Sequence, residues 1–490
     1  MDHQVSLPPS TTTGLSFKVH RRQPELVTPA KPTPRELKLL SDLDDQQGLR
    51  FQFPVIFFYR PNLTTNHDPV QVIRRALSET LVYYYPFAGR LRELSNRKLA
   101  VDCTGEGVLF IEAEADVTLA ELEEANELLP PFPCLEELLF DVEGSSEVLN
   151  TPLLLVQVSP RVLACVSRPY ALCYLKRIWF LHAFSLLRGI HVQITRLTCG
   201  GFIFALRFNH TMTDGSGLSL FLKSLCELAC GLHAPSVLPV WDRHLLTVNV
   251  LEARVIHRHR EYEDQVKIDT VATGDHLVTR SFFFSTKDIS AIRKFLPSDL
   301  HNTSFEALTS FLWRCRTVAL SPDPNTEMRL TCIINSRSKL SNPPLSPGYY
   351  GNVFVIPAAI ATAKDLMEKP LEFALRLIQE IKASVTEDYV RSVIALMATR
   401  GRPMFVTAEN YIISDLRHFG LGKVDFGPWG KPVYGGTAKA GIAVFPGVSF
   451  YVPFKNKKGE TGTVVAISLP VRAMERFVVE LDDVLNVFNG

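Results

Sequence analysis

The nine cysteines of this chain contain no C-x-x-C pair, and their number is odd. A disulfide framework and a zinc ribbon are therefore both poorly supported, and free thiols in a reducing compartment are expected. There is no G-x-x-x-x-G-K-[ST], no G-x-G-x-x-G and no G-x-S-x-G. That removes the phosphate-cradling loop, the dinucleotide fingerprint and the serine nucleophile elbow. Charge of one sign is missing too: the net charge is +1, which offers no electrostatic footprint for nucleic acid or an anionic membrane. The most apolar tract, residues 170–190, is broken by Lys176, Arg177 and His182, short of the ~20 clean residues that a spanning helix needs. The amino terminus, MDHQVSLPPSTTTG, lacks a basic region followed by an apolar core, so no secretory signal is read there. The expectation is a cytoplasmic monomer that acts on small molecules, with no nucleic acid, membrane or metal partner.

What is present is an ordinary globular composition, 46% hydrophobic and 21% charged, over 490 residues, enough for two domains. Val70, Val72, Ile73, Leu77 and Leu81 follow the 3.6-residue period of a helix that ends before Pro86 and Gly89. KLAVDCTGEGVLFIEAEAD alternates as two strands around a CTGEG turn. A second helix begins at a capping box of Thr303 and Glu306. Short strands follow at MRLTCIINSR, NVFVIPAAI, VSFYVPF and GTVVAISLP, and RAMERFVVELDDVLNVF closes the chain as a helix. The pattern is mixed α/β without a regular βα repeat. Residues 231–265 carry prolines and then mixed charge, and read as a crossover between an amino-terminal domain, 1–230, and a carboxy-terminal domain, 266–490. Within the crossover, HRHREYED offers His257 and His259 beside Glu261 and Glu263, and reads as a solvated charge run.

The stretch RFNHTMTDGSG sets His210 four residues before Asp214, with Gly215 and Gly217 behind them. An H-x-x-x-D spacing alone is a weak signal. A histidine suits proton transfer near neutral pH, because its unperturbed pKa is about 6.5. On spacing alone Asp214 could orient that imidazole. A metal-dependent hydrolase built on His210 and Asp214 would need a third ligand, and none stands nearby in the sequence.

HTMTDG at 210–215 and DFGPWGKP at 425–432 occur in this order, with YYYPFAGRLRE, VDCTGEGVLFIEA, PPFPCLEELL, LPVW and GYYGN between or before them. With these motifs the chain resembles the plant acyl-CoA-dependent acyltransferases of the BAHD superfamily, in the alcohol acyltransferase branch that includes benzyl alcohol O-benzoyltransferases. The resemblance covers nearly the whole chain. It implies two similar-sized mixed α/β domains of the chloramphenicol acetyltransferase type, joined by a long crossover, with the active-site channel between them. It implies an acyl-CoA:alcohol O-acyltransferase that makes benzoyl or acetyl esters of benzyl or small aliphatic alcohols. Acyl-CoA is then a co-substrate and no cofactor is bound.

The same resemblance implies His210 as general base in a ternary complex, and Asp214 turned away from it to pair with Arg337 of IINSR. Trp429 would be an oxyanion or acyl contact, or a loop anchor. Gly215 and Gly217 would admit the pantetheine arm, or simply form a turn. Lys287, Arg293 and Lys294 would meet the nucleotide, or form a solvated helix face.

Two departures from the family pattern stand out. Pro428 lengthens the D-F-G-W-G loop by one residue, which biases Gly427 toward extended backbone and displaces Trp429. The second is residues 158–193, which interrupt the run from LLLVQ into ITRLTCGGF. These 36 residues hold five Lys/Arg, no Asp or Glu, and no amphipathic period. The segment opens on Val and closes on Gln, whose codons permit the GT and AG ends of a retained intron; a lineage-specific insertion is the other reading. If it disrupts the strand that delivers His210, the chain is an impaired or inactive product that binds CoA without turnover.

Overall fold

The computed structural model describes residues 14–126, 128–139, 191–263, 276–442 and 445–486. Almost all of the interrupting segment, 158–190, lies outside the described residues, and so do Cys165 and Cys173.

Two mixed sheets carry the architecture. The first runs in the order Val19–Arg21, Val108–Ala115, His191–Leu197, Phe202–Asn209, Gln52–Tyr59 and Tyr434–Thr437, with Glu25–Val27 also on Val108–Ala115. The second runs Leu277–Ser285, Thr461–Pro470, Val448–Lys455, Asn410–Asp415, Glu327–Cys332 and Ala358–Thr362. The interior strand Gln52–Tyr59, QFPVIFFY, is a nearly continuous apolar run because both of its faces are covered. Helices Pro69–Tyr83 and Gly215–Ala229 pack together beside the first sheet. Helix Ser304–Leu320 packs on Leu371–Ser384 and Val471–Asn486 beside the second.

Local signals hold where the chemistry is local. Helix Pro69–Tyr83 starts at Asp68, whose carboxylate accepts from Val70 N, with Pro69 at its first position. Helix Ser304–Leu320 starts at the reciprocal Thr303–Glu306 capping box. The two strands flanking CTGEG form, but they do not pair with each other. Leu99–Asp102 joins a separate three-stranded sheet, whereas Val108–Ala115 joins the large one.

The halves are more interleaved than a cut at residue 266 implies. Tyr434–Thr437 leaves the carboxy-terminal half to pair with Gln52–Tyr59 in the first sheet. The crossover is not a passive linker either. Arg243 and Leu246 within it are completely buried. The HRHREYED stretch is corrected in part: Arg258 and Arg260 are exposed as read, but the residues between and after them turn inward. His259 and Glu261 are in the core, with His259 Nε2 2.8 Å from Ser392 Oγ and Tyr389 donating to Glu261 at 2.6 Å. A charge run looks solvated when its hydrogen-bonding partners, here more than a hundred residues downstream, are invisible.

Gly427 also departs from expectation. It takes φ +74° and opens a short 3-10 turn, Gly427–Trp429, instead of extended backbone. The restriction that proline places on its predecessor is largely a clash with Cβ, which glycine lacks.

Candidate active site

His210 follows directly on strand Phe202–Asn209, which pairs with Gln52–Tyr59 in the register Phe53↔Phe208. Side chains two apart share a face of a strand, so Phe51, Phe53 and Val55 on one chain and Phe208 and His210 on the other face the same way. They face a cavity of about 480 Å³ between the two sheets, whose far wall includes Phe354, Ile412 and Phe450. The imidazole is enclosed by aromatic rings: Phe51 at 5.3 Å, Phe53 at 5.7 Å, and Phe208 and Phe354 at 5.9 Å between centroids. Burial among them lowers the His210 pKa below its ordinary value, against the opposing pull of its own carbonyl, Asp214 and Asn352. Nδ1 is sealed from solvent without a well-formed hydrogen bond among the described residues, so the ring offers the cavity its Nε2 edge. The result is a mostly neutral imidazole able to accept a proton from a group bound in the cavity.

Asp214 does not serve that ring. Arg337 Nη1 lies 2.7 Å from Asp214 Oδ2 and Nη2 lies 2.9 Å from Oδ1. The backbone amides of Gly217 and Val353 add bonds of 2.9 and 3.0 Å. Burial works against the charge of Asp214, but Arg337 and these amides outweigh it and hold the carboxyl below its usual range. Of the two arrangements, orienting the imidazole as spacing allowed or pairing with Arg337 as the resemblance implied, the structure has the ion pair. Among the described residues no three His, Cys, Asp or Glu side chains cluster as metal ligands.

The remaining candidates separate. Gly215 lines the cavity, in contact with Phe419. Gly217 does not: a Cβ there would sit 2.0 Å from the Tyr350 carbonyl oxygen, so its close approach is to the chain's own backbone, and neither glycine has positive φ. For Trp429, the placement fits the loop-anchor reading. Its indole packs edge-on against Phe202, seven residues from Asn209, roughly 23 Å down the strand at ~3.3 Å per residue. It lies outside the cavity lining and reaches no reacting group at His210. Lys287, Arg293 and Lys294 sit exposed at helix Thr286–Arg293 and also lie outside the lining. Arg293 bonds Asn302 at 3.0 Å, next in sequence to the cavity residues Thr303 and Ser304.

Residues with no prior assignment complete the site. Phe405 closes one wall over Gly48, and Lys382, Arg417 and His418 form a polar rim. The GYYGN stretch supplies a strap, Tyr350–Val353, that touches the histidine turn repeatedly.

A family model described as Transferase family matches residues 17–160 and 182–484, leaving unmatched 161–181, inside the interrupting segment. A (Z)-3-hexen-1-ol acetyltransferase of Arabidopsis thaliana is 80% identical over 490 residues, covering 100% of both chains. A benzyl alcohol O-benzoyltransferase of Petunia hybrida is 53% identical over 475 residues, covering 96% of this chain and 94% of its own. The chain belongs to the BAHD acyltransferase family. Vinorine synthase, at 20% identity, shares the fold with a TM-score of 0.67 over 95% of this chain and 98% of its own. F. graminearum TRI101 complexed with coenzyme A and deoxynivalenol does so at 15% identity and TM-score 0.64, over 90% of this chain and 96% of its own. This BAHD chain is therefore an acyltransferase of two mixed α/β domains with a channel between them.

Proposed function

We propose that the chain transfers an acetyl group from acetyl-CoA to a small, largely apolar primary alcohol of the (Z)-3-hexen-1-ol class. His210 Nε2 acts as the general base. The observation that carries this reading is the neutral-biased imidazole at the centre of an aromatic and aliphatic cavity, with the nearby carboxylate already engaged by Arg337. Such a cavity binds an alkyl or alkenyl chain by apolar contact and leaves the hydroxyl to the histidine. The name of the 80% identical relative supports the choice of alcohol and acyl group.

In the ternary complex the alcohol O–H gives its proton to Nε2 as the oxygen attacks the thioester carbonyl. The tetrahedral intermediate collapses by breaking the C–S bond, and the imidazolium returns the proton to the leaving thiolate. The products are the ester and free CoA. No covalent enzyme intermediate is needed, in keeping with the absent serine elbow.

The test is thioester consumption with a panel of acyl-CoAs and alcohols, read as free CoA and ester mass. Consumption that requires added alcohol, and is fastest for acetyl-CoA with six-carbon alcohols, is expected. Thioester cleavage independent of alcohol would overturn the reading. A preference for benzoyl-CoA with benzyl alcohol would keep the reaction and replace the substrate pair.

A further inference from the structure

Asn352 lies in the strap that crosses beneath the His210 turn, completely buried, and its side chain has an unusual set of neighbours. Nδ2 donates to the His210 carbonyl at 2.8 Å and to Asp44 Oδ1 at 2.9 Å. Both neighbours accept only, so the amide must present its NH2 to them. Its Oδ1 makes no well-formed hydrogen bond among the described residues, although the amide lies close enough to the His210 ring to favour its charged form. Filling space does not require an amide; fixing two acceptors relative to each other does.

Asp44 is itself immobilised. Its Oδ1 also accepts from Asn352 N at 2.8 Å, and its Oδ2 accepts from Ser41 Oγ at 2.6 Å. Arg243 Nε lies 3.0 Å from Oδ2, with both side chains buried. The Arg243 guanidinium is stacked among Trp241, Tyr349 and Tyr350, 4.4 to 5.0 Å from their ring centres, and Nη2 donates to the Met212 carbonyl at 2.9 Å. A Cβ at Gly351 would stand 1.6 Å from Arg243 Nη1, so strap and arginine interlock. From the other strand, His210 N donates to the Phe51 carbonyl at 3.0 Å.

We infer that Asn352, locked by the buried Asp44–Arg243 pair, is a positioning residue that sets the orientation of the His210 backbone carbonyl and, through it, the pose of the imidazole toward the alcohol. The inference rests on His210 being the base. Asp214 with Arg337 anchors the far end of the same turn; Asp44 with Arg243 anchors the near end. Neither carboxylate touches the ring.

The test uses the full chain with Asn352→Ala, measured beside His210→Ala. With the Asn352 donor gone, kcat is expected to fall by about 100-fold, the scale of an ångström of misplacement, while KM for both substrates changes little. The acid limb of the kcat profile moves to lower pH, because the amide favours the charged ring. If Asn352→Ala does not fold, Asn352→Ser, which keeps one short donor there, is expected to fall between it and the parent on both readouts. Unchanged kcat, or a loss matched by the unfolded fraction with the acid limb unmoved, overturns the inference while His210→Ala remains inactive. Persistent turnover in His210→Ala instead overturns the base assignment, and the inference with it.

Discussion

Arg337 grips both oxygens of Asp214, at 2.7 and 2.9 Å, and so holds the second residue of the H-x-x-x-D motif away from the first. The pair joins helix Gly215–Ala229, which Asp214 caps, to the segment after Ile334–Asn335 from the other half of the chain. Its role is to clamp the turn across the channel.

Removing Arg337 therefore strands a buried carboxylate. Arg337→Met is expected to lower stability by about 3–5 kcal/mol, read as a shifted denaturant midpoint. Asp214→Asn should cost less, because it removes the charge that needs a partner, although its single carbonyl oxygen can accept from only one of the Gly217 and Val353 amides, which bond different oxygens of Asp214. The stability from Asp214 follows pH with a definite sign. Its folded pKa is depressed, so the contribution is complete above about pH 4 and is lost as pH falls through the lower folded value. An Arg337→Met midpoint equal to that of the parent at pH 7 would exclude the clamp.

Catalysis should depend on neutral His210. Burial lowers its pKa, so the acid limb of kcat is expected below about pH 6.5. His210→Ala is expected to reduce turnover by about 10²–10⁴-fold with the melting temperature little changed. An acid limb clearly above pH 6.5 would point to a different titrating group.

Much of this arrangement was legible in sequence because its signals are local or come as a recognisable pair. The Thr303–Glu306 cap is a three-residue signal, and His210 with Asp214 is a four-residue one. Arg337 was reached through the family motif IINSR. Other contacts join residues whose sequence neighbourhoods carry no trace of one another. Asp44 meets Asn352 across 308 positions, and Phe405 covers Gly48 from a loop after helix Glu387–Thr399. GYYGN and LPVW could be marked as family-like, but only the fold reveals that one straps the histidine turn and the other leads to the arginine that locks it. Trp429 keeps two readings in the sequence, contact or loop anchor, because motif membership says nothing of distance along a strand.

Trp429 should accordingly matter to stability and not to chemistry. Trp429→Ala is expected to destabilise by about 3–5 kcal/mol, while the kcat of the folded fraction is preserved. A large drop in kcat with stability intact would restore a catalytic role.

Chain length of the alcohol should respond to Gly48 and Phe405. A Cβ at Gly48 would come within 2.7 Å of the Phe405 ring, which lines the cavity and packs edge-on against Phe445. Phe405→Ala is expected to shift kcat/KM toward longer or branched alcohols, by roughly tenfold per added methylene over a limited range. Gly48→Ala is expected to narrow the range. Parallel loss across all alcohols for Phe405→Ala would mean that the ring does not set cavity depth.

The last prediction concerns residues 158–193. Strand His191–Leu197 pairs with Val108–Ala115 on one side and Phe202–Asn209 on the other, so His191, Val192 and Gln193 help to build the hairpin that ends at His210. Gln193 is buried there, donating to Thr195 Oγ1 at 2.9 Å and to the Glu137 carbonyl at 3.1 Å. Deleting 158–193 joins Val156 and Gln157 to Ile194, which returns the same Val-Gln pair to the same register and replaces His191 by Leu155. The hairpin therefore needs no residue of the segment. With it present, two copies of the Val-Gln pair compete for one strand position during folding; seating the first copy keeps the register but puts Val158 where Ile194 belongs. A chain lacking 158–193 is expected to give a larger soluble fraction and a higher specific activity. Lower or equal specific activity would mean that the segment does not hinder the delivery of His210.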